Sequence, residues 1–319
     1  GYGRIIRDAK RAIVEIVEQR DATPDQLAVN EINSGIMCIP QRLLAKWLPA
    51  LSSENSQNEY YLTDVIKMAV DDGIQIVSTQ PKQLYEIDGV NNKLQLAALE
   101  RIYQRLRADE LLTAGVTLAD PQRIDIRGNV QCGRDVYIDV NAVLIGDVTI
   151  ADNVRIGPNC VIDNSSIGAN SQILANSVIE NAVVGEQCNI GPYARLRPGS
   201  NVQNRAKLGN FVEVKNATIG DGSKVNHLAY IGDADIGTES NIGAGTIVCN
   251  YDGAYKHKTT IGDRVFVGSN STLVAPLVIE SDGFVAAGST VTSTVGQGSL
   301  AVARARQRNI EGWKRPKKS

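Results

Sequence analysis

The feature that most constrains the fold is an aliphatic residue at every fifth or sixth position, in a series that begins near Val143. A period of six fits neither the 3.6-residue period of an α-helix nor the alternation of a single strand. It is typical of a β-solenoid, in which each short strand buries one aliphatic side chain and small residues occupy the corners. We therefore predict stacked coils whose inward positions are Ile150, Ile156, Ile162, Ile167, Ile173, Val178, Val184, Ile190, Leu196, Val202, Leu208, Val214, Ile219, Val225, Ile231, Ile236, Ile242, Ile261, Val267, Leu273, Ile279, Val285 and Val291.

The series is interrupted once, between Val248 and Ile261, where the string NYDGAYKHKT adds residues to one coil. An insertion in a solenoid must leave the stack as a loop. Loops held by a rigid scaffold often carry functional residues. This insertion is therefore a candidate part of a functional site.

The amino-terminal third has a different pattern. Residues 1–90 combine short aliphatic runs, Ala12 to Val17 and Ile74 to Val77, with a helical stretch from Tyr61 to Asp72. This mixture is typical of an α/β fold. Asn92 to Gly115 is predicted to form one connecting helix, with an apolar stripe made by Leu94, Leu96, Leu99, Ile102, Leu106 and Leu111 or Leu112.

Composition excludes several classes of function. With 33 Lys and Arg against 35 Asp and Glu, the formal net charge of -2 argues against a nucleic-acid binder. No apolar run is long enough to predict a membrane span, and the opening residues do not read as a secretory signal. The five scattered cysteines are typical of free thiols in a reducing cytoplasm.

Several strings resemble a known family over essentially the whole chain. They are GYGRI, IVEQRDAT, EINSGI, NEYYLTD, GVNNKLQL, GPYARLRPG, GNFVEVK, HLAYIGDA, NIGAGTIVCNYDGAYKHKT, VFVGS and EGWKRP. The chain resembles the bifunctional bacterial N-acetylglucosamine-1-phosphate uridyltransferase/glucosamine-1-phosphate N-acetyltransferases. That resemblance implies a cytoplasmic homotrimer that makes UDP-N-acetylglucosamine for peptidoglycan and lipopolysaccharide, using acetyl-CoA and, for uridyl transfer, Mg²⁺.

The resemblance also implies the fold and the domain boundaries. We expect a partial nucleotidyltransferase-like (Rossmann-like) α/β domain, followed by a left-handed parallel β-helix of hexapeptide repeats. Residues 1–91 would be the carboxy-terminal part of the uridyltransferase domain, and 92–115 a linker helix. Residues 116–300 would form the acetyltransferase domain, and 301–319 a basic tail.

For the uridyltransferase domain, the resemblance implies that Gly3, Glu18 and Asn33 contact the N-acetylglucosamine phosphate and that Asn91 is a Mg²⁺ ligand. The family's Gly-rich, Lys-bearing nucleotide loop and a second metal ligand, an Asp, are not in this sequence. Backbone N–H groups of such a loop bind phosphate closely because glycine has no side chain. We expect no appreciable uridyltransferase activity from this chain.

Acetyl transfer to an amine needs a general base, and imidazole titrates near neutrality. The chain has only two histidines, and a histidine is often just a satisfied structural residue. The resemblance implies that His227 is the base. It also implies that Arg197 and Lys215 bind the phosphate of the sugar and that Tyr230 and Asn241 contact the sugar. The alternative for Arg197 and Lys215 is that both are ordinary solvated surface cations.

The resemblance implies that the arm of acetyl-CoA lies along the outside of neighbouring coils and contacts Ala244, Ser269, Ala287 and Arg304. Small residues at the first three positions would let an extended chain approach the backbone. Solenoid corners also require small residues, so the sequence leaves both explanations open. Arg304 suits the nucleotide phosphates. By resemblance, the loop residues Asn250 and Tyr251 would also contact acetyl-CoA. Glu213, one residue from Val214, is a candidate to orient or polarise His227.

Three other functions share the repeat. A zinc carbonic anhydrase needs three histidines, and this chain has two. A second alternative is a non-catalytic scaffold. The presence of His227, Arg197, Lys215 and the inserted loop on one solenoid argues against it. A related acyltransferase with another acceptor remains the third alternative. We expect the active sites to lie between subunits.

Overall fold

The structure is a computed structural model that describes residues 2–316, so the last three residues of the predicted basic tail lie outside it. The chain forms two compact units, which divide between Glu100 and Arg101. Among residues 2–316, no helix is both long and apolar enough to cross a bilayer.

The first unit is α/β. Its strands Arg4–Arg7 and Ile13–Val17 pair antiparallel. Its core contains Ile13, Ile16, Trp47, Val65, Ile66 and Ala69. The run from Ile74 to Val77 forms no regular strand. The α-helices are Pro24–Leu27, Gln41–Trp47 and Val65–Asp71, and the 3₁₀ turns are Leu48–Ala50, Leu62–Asp64 and Leu84–Ile87.

The connecting helix spans Lys93–Thr113, and Gly115 follows it at a φ of +97°, a conformation that favours glycine. Its buried residues are Gln104, Ala108 and Leu111. The predicted apolar stripe was wrong for leucines 94, 96 and 106, which are exposed, whereas Leu111 of the same stripe is buried. The three buried residues are spaced i, i+4 and i+7, so they lie on one side of the helix. The side chain of Gln104 makes hydrogen bonds with the main chain of Ile126 in the first coil.

The second unit is a left-handed parallel β-helix with three faces. The first face is an eleven-stranded sheet. Two long strands, Ile124–Cys132 and Ala142–Ile150, begin both of the other faces. The first face comprises Thr117–Leu118, Tyr137–Ile138, Arg155–Ile156, Gln172–Ile173, Asn189–Ile190, Lys207–Asn210, Lys224–His227, Asn241–Ile242, Phe266–Val267, Phe284–Val285 and Leu300–Ala301.

The second and third faces continue from these long strands. The second face comprises Val161–Asp163, Val178–Glu180, Arg195–Leu196, Glu213–Lys215, Tyr230–Gly232, Ile247–Cys249, Thr272–Val274 and Thr290–Val291. The third face comprises Ser166–Ile167, Val183–Val184, Asn201–Val202, Thr218–Ile219, Ala234–Ile236, Thr259–Ile261 and Leu277–Ile279. Parallel in-register pairing places equivalent residues of successive coils in straight columns.

The predicted aliphatic columns form the core of the solenoid, with one correction. Ile179, and not Val178, is the inward residue, because it pairs in register with Ile162 and Leu196. Leu144 likewise replaces Val143. Neighbouring aliphatic residues fit the period equally well, so only the strand pairing decides which one is buried.

Small residues at the corners have a structural role. The buried hydroxyl of Ser171 donates to the carbonyl of Gly185 at 2.7 Å and accepts from the N–H of Cys188 at 2.9 Å. Cys160 and Cys188 occupy similar buried positions, and all five cysteines are free. Burial raises the pKa of the Cys132 thiol to about 11, which disfavours the reactive thiolate.

Candidate active site

His227 ends a strand of the first face and stands at the corner before the second face. Its imidazole is exposed in the single chain, and Nδ1 lies 2.9 Å from Oδ1 of Asn210. Asn210 is the equivalent residue of the preceding coil, in register with His227. The sequence-based interpretation missed Asn210, although its 17-residue separation from His227 equals one coil.

A column of small residues continues from His227 along the same corner. Main-chain hydrogen bonds connect the coils: the N–H of Gly245 donates to His227 at 3.3 Å, that of Asn270 to Ala244 at 2.7 Å, and that of Gly288 to Ser269 at 2.8 Å. His227, Ala244, Ser269 and Ala287 therefore occupy equivalent positions on successive coils. We name these four residues the corner column.

Arg304 extends the corner column. Its guanidinium donates to the carbonyl of Ala287 at 2.7 Å. The side chains of Ser269, Ala287 and Arg304 are all exposed. An exposed run of small residues thus leads from the imidazole to a cation.

The second face carries the sugar-phosphate candidates. Glu213 and Tyr230 are register partners, as are Lys215 and Gly232. Arg197 donates to Glu213 at 2.8 Å, so both of these side chains are already paired with each other. The phenol of Tyr230 lies over Gly232, where a Cβ would come within 2.6 Å of the ring carbon Cζ.

A cluster of cations lies at the far edge of this face. The pKa of Lys215 is lowered, first by its hydrogen bond with Lys256 and then by the charge of Lys256, with desolvation and Arg197 adding to the effect. Asp233 opposes it. Burial raises the pKa of Asp233, but hydrogen bonds from Asn216 and Asn250, together with both lysines, more than offset this and leave it lowered. Arg197, Lys215 and Lys256 outnumber the two carboxylates Glu213 and Asp233 beside them, and the excess positive charge attracts an anionic ligand.

The inserted loop supplies Lys256 and is held by its own polar contacts. Asn250 is buried and its amide donates to Asp233. Asp252 accepts from the N–H groups of Ala254 at 2.8 Å and Tyr255 at 2.7 Å. It also lies 2.7 Å from Nε2 of His257. Lys256 is the second residue that the sequence-based interpretation missed, although it lies in the string singled out there.

Not every candidate joins this group within one chain. Asn241 lies on the outer side of the first face, in register with Lys224 and Phe266. Asn250 and the exposed Tyr251 lie near Asp233 and not along the corner column. Glu213 contacts Arg197, whereas His227 contacts Asn210.

The uridyltransferase candidates lie in the first unit. Glu18 accepts from Thr63 at 3.0 Å and flanks the buried Gly3, whose carbonyl accepts from the N–H of Asn33 at 2.9 Å. These three residues therefore form one local group. The exposed Asn91 uses its N–H to bond Gln95 at 2.7 Å. Over residues 2–316, no three His, Cys, Asp or Glu residues are grouped as metal ligands.

Two family models match parts of the solenoid. Residues 126–202 match the GMPPB C-terminal domain, and residues 258–293 match the hexapeptide repeat of succinyl-transferase. The solved structure of LpxA from Acinetobacter baumannii is 18% identical, with a TM-score of 0.37, over 51% of this chain and 69% of that chain.

Two curated relatives match the whole chain. The bifunctional protein GlmU of Marinobacter nauticus is 55% identical over 319 residues, and that of Burkholderia vietnamiensis is 58% identical over 318. In both cases the match covers 100% of this chain and 70% of the relative.

The hexapeptide-repeat β-helix, together with the relatives that match the whole chain, identifies an acyltransferase. The chain belongs to the GlmU family. The family expected from the sequence strings is thereby confirmed, and the chain is an enzyme of acetyl transfer in UDP-N-acetylglucosamine biosynthesis.

Proposed function

We propose that the solenoid transfers the acetyl group of acetyl-CoA to the amine of glucosamine-1-phosphate, with His227 as the general base. The observation that supports this proposal best is the position of one exposed imidazole where two surfaces meet. One surface is the corner column that leads to Arg304. The other is the second face, which ends in the cations Lys215 and Lys256.

In this reaction, the amine nitrogen attacks the thioester carbonyl and the C–N bond forms. Nε2 of His227 accepts the proton that the amine loses. The C–S bond then breaks, and the thiolate of CoA takes up a proton, which the imidazolium can return. The products are N-acetylglucosamine-1-phosphate and CoA.

The phosphate would lie at the edge of the second face. Arg197 offers parallel N–H donors, while Lys215 and Lys256 offer point charges that no anion fully compensates. The phenol of Tyr230 lies between this edge and His227 and would contact the sugar. A phosphate bound there would hold the amino group toward the imidazole.

The pantetheine arm of acetyl-CoA would follow the corner column. Successive strands are spaced by about 4.8 Å, so three coils place Ala287 about 14 Å from His227 along the solenoid axis. The absence of large side chains at Ala244, Ser269 and Ala287 leaves the backbone accessible to an extended chain. Arg304 would meet the nucleotide phosphates.

We also propose a cytoplasmic homotrimer with sites between subunits. Tyr193, Phe211 and Leu228 form an exposed apolar ladder on the corner next to Asn210 and His227, and the first two rings stack at 5.4 Å. Burial of such a ladder against another copy would remove apolar surface from water. It would also explain how Asn250 and Tyr251, which lie away from the corner column of their own chain, contact acetyl-CoA of a neighbour.

For the first unit, we propose that Gly3, Glu18 and Asn33 contact an N-acetylglucosamine phosphate, as in the family. Mg²⁺ is the metal of the family's uridyl transfer. It prefers a nearly octahedral set of oxygen ligands, and Asn91 offers a single side-chain oxygen. The described residues therefore do not form a magnesium site by themselves.

The proposal is tested by measuring thiol release from acetyl-CoA in the presence of glucosamine-1-phosphate, glucosamine or neither. We expect release only with an amine acceptor, and a much lower KM for the phosphorylated sugar. His227→Ala should lower kcat by at least about 100-fold, while Lys224→Ala, on the same strand, should not. Full turnover by His227→Ala, or indifference to the phosphate, would refute the proposal.

The homotrimer is tested separately by light scattering and by assay of Leu228→Glu. A charge in the apolar ladder should dissociate the assembly and abolish acetyl transfer together. A wild-type monomer with full activity would contradict the proposal of sites between subunits.

A further inference from the structure

His227 is held through one ring nitrogen by a neutral amide. Its Nδ1 lies 2.9 Å from Oδ1 of Asn210, and the two residues are register partners on neighbouring coils. The carbonyl of Asn210 also accepts from the N–H of Leu228 at 3.0 Å. Asn210 therefore contacts two consecutive residues of the strand end that carries the imidazole.

An amide oxygen can only accept a hydrogen bond. When Oδ1 faces Nδ1, the proton of the neutral imidazole must be on Nδ1, and the lone pair is on Nε2. The other tautomer would present an N–H to the substrate amine and could not accept its proton. The direction of this one hydrogen bond thus determines whether His227 can serve as a base.

Glu213, the acid predicted to orient His227, is bound to Arg197. A neutral amide differs from a carboxylate in one important respect. It orients the ring without adding a negative charge that would stabilise the imidazolium.

We infer that Asn210 is a positioning residue for acetyl transfer, which holds His227 in the tautomer with its proton on Nδ1 and its lone pair on Nε2. This inference rests on the proposed role of His227 as the base. Asn210 itself need not touch either substrate. Its effect should therefore appear in kcat and not in KM.

The kinetic test compares Asn210→Ala and Asn210→Asp with the wild-type trimer. Asn210→Ala should lower kcat by about 10- to 100-fold with little change in either KM, because the ring loses its orientation. Asn210→Asp keeps an acceptor and should recover most of that loss at alkaline pH. Its acid limb in the kcat profile should move to higher pH, because the carboxylate stabilises the imidazolium.

A matched control is Asn189→Ala, on the first face one coil before Asn210, which should leave kcat unchanged. Thermal melting and light scattering of each variant separate a loss of folding from a loss of positioning. An Asn210→Ala enzyme that is folded, trimeric and as fast as the wild type would overturn the inference. So would an Asn210→Asp enzyme whose acid limb does not move.

A spectroscopic test needs no turnover. The chain has two histidines, so ¹⁵N labelling of imidazole gives two side-chain spectra, and a His227→Gln variant assigns them. We expect His227 to show the Nδ1–H tautomer in the wild type and a mixture in Asn210→Ala. An Nε2–H tautomer in the wild type would refute the role of Asn210.

The two proposals fail in different ways. If His227→Ala is active, the proposed base is wrong, whatever Asn210 does. If His227→Ala is inactive while Asn210→Ala keeps full kcat and the Nδ1–H tautomer, His227 remains the proposed base and the positioning role of Asn210 is refuted.

Discussion

The phenol of Tyr230 lies over Gly232, two residues further along the same strand. Gly232 is buried and its φ is not in the left-handed region, so alanine is allowed by the backbone but not by the ring. A Cβ at this position would lie 2.6 Å from Cζ and 2.8 Å from Cε1 of Tyr230. The glycine is therefore required by the position of the ring.

Gly232→Ala should displace the phenol and weaken sugar binding. We expect KM for glucosamine-1-phosphate to rise about tenfold with a smaller change in kcat, because a binding contact is lost. Gly296→Ala is the matched control, since the nearest atom to its new Cβ would be Ser299 Oγ at 3.5 Å. Steady-state kinetics of both variants checks this, and equal KM values would contradict the assigned role of Tyr230.

Lys256→Met should weaken phosphate binding by removing one of three neighbouring cations. KM for the sugar phosphate should rise about tenfold and depend less on salt. The pKa of Lys215, now lowered by Lys256, should rise toward its ordinary value. Lys215 would then keep its charge to higher pH, so the alkaline decline of kcat/KM should move upward.

The control for Lys256→Met is Lys258→Met, because Lys258 is paired with Asp235 and takes no part in the cation cluster. Its KM should stay close to the wild-type value. If the alkaline limb of the kcat/KM profile does not move in Lys256→Met, Lys215 and Lys256 do not interact.

Asp252→Ala should loosen the inserted loop. The pKa of Asp252 is lowered well below its usual range, first by the N–H of Tyr255 and then by His257 and the N–H of Ala254. A lowered folded pKa means that these contacts are fully present above the ordinary Asp range and disappear only as pH falls through the lowered value. The wild-type loop should therefore remain ordered down to about pH 4.

Hydrogen exchange of residues 250–259 measures this effect. Exchange should be faster in Asp252→Ala than in the wild type across pH 5 to 7, and KM for the sugar phosphate should rise because Lys256 is displaced. Asp252→Asn, which keeps one acceptor, should fall between the two. Identical exchange in all three proteins would show that Asp252 does not hold the loop.

Gln104→Leu should destabilise the start of the solenoid. The buried amide of Gln104 donates to the carbonyl of Ile126 at 2.9 Å and accepts from its N–H at 2.8 Å. Leucine would leave both main-chain groups without these partners, at a cost of about 1–3 kcal/mol for each group. Thermal unfolding should show a lower Tm, while the exposed Gln172→Leu should show little change.

Much of the fold follows from spacing alone. The period identifies Ile156, Ile173 and Ile190 as one column because nothing else in those strands can fill the interior. Spacing does not decide whether Val178 or Ile179 points inward. A five-residue step can lie before Val178 or after Ile179, and both choices fit the series. Spacing also fails for the helix stripe, because Gln104 is buried for its hydrogen bonds and not for its hydrophobicity.

The site was predictable less completely. His227, Arg197 and Lys215 were predicted from motif strings, because the residue types in those strings indicate the chemistry. The partners Asn210 and Lys256 depend on which residues the coils and the loop bring together. That information lies in strand register, which is fixed by pairing over a whole coil and not by local sequence.

Because the corner column advances by one strand spacing per coil, the distance between His227 and Arg304 can change only in steps of about 4.8 Å. Deleting or adding a complete coil after Ala244 would keep the stacking of the aliphatic columns but shift the guanidinium relative to His227. A substitution can alter the affinity for a ligand gradually, whereas a change in the number of coils alters this distance only in whole steps. In the proposed complex with acetyl-CoA, the solenoid would thereby restrict the length of the acyl carrier that the enzyme accepts.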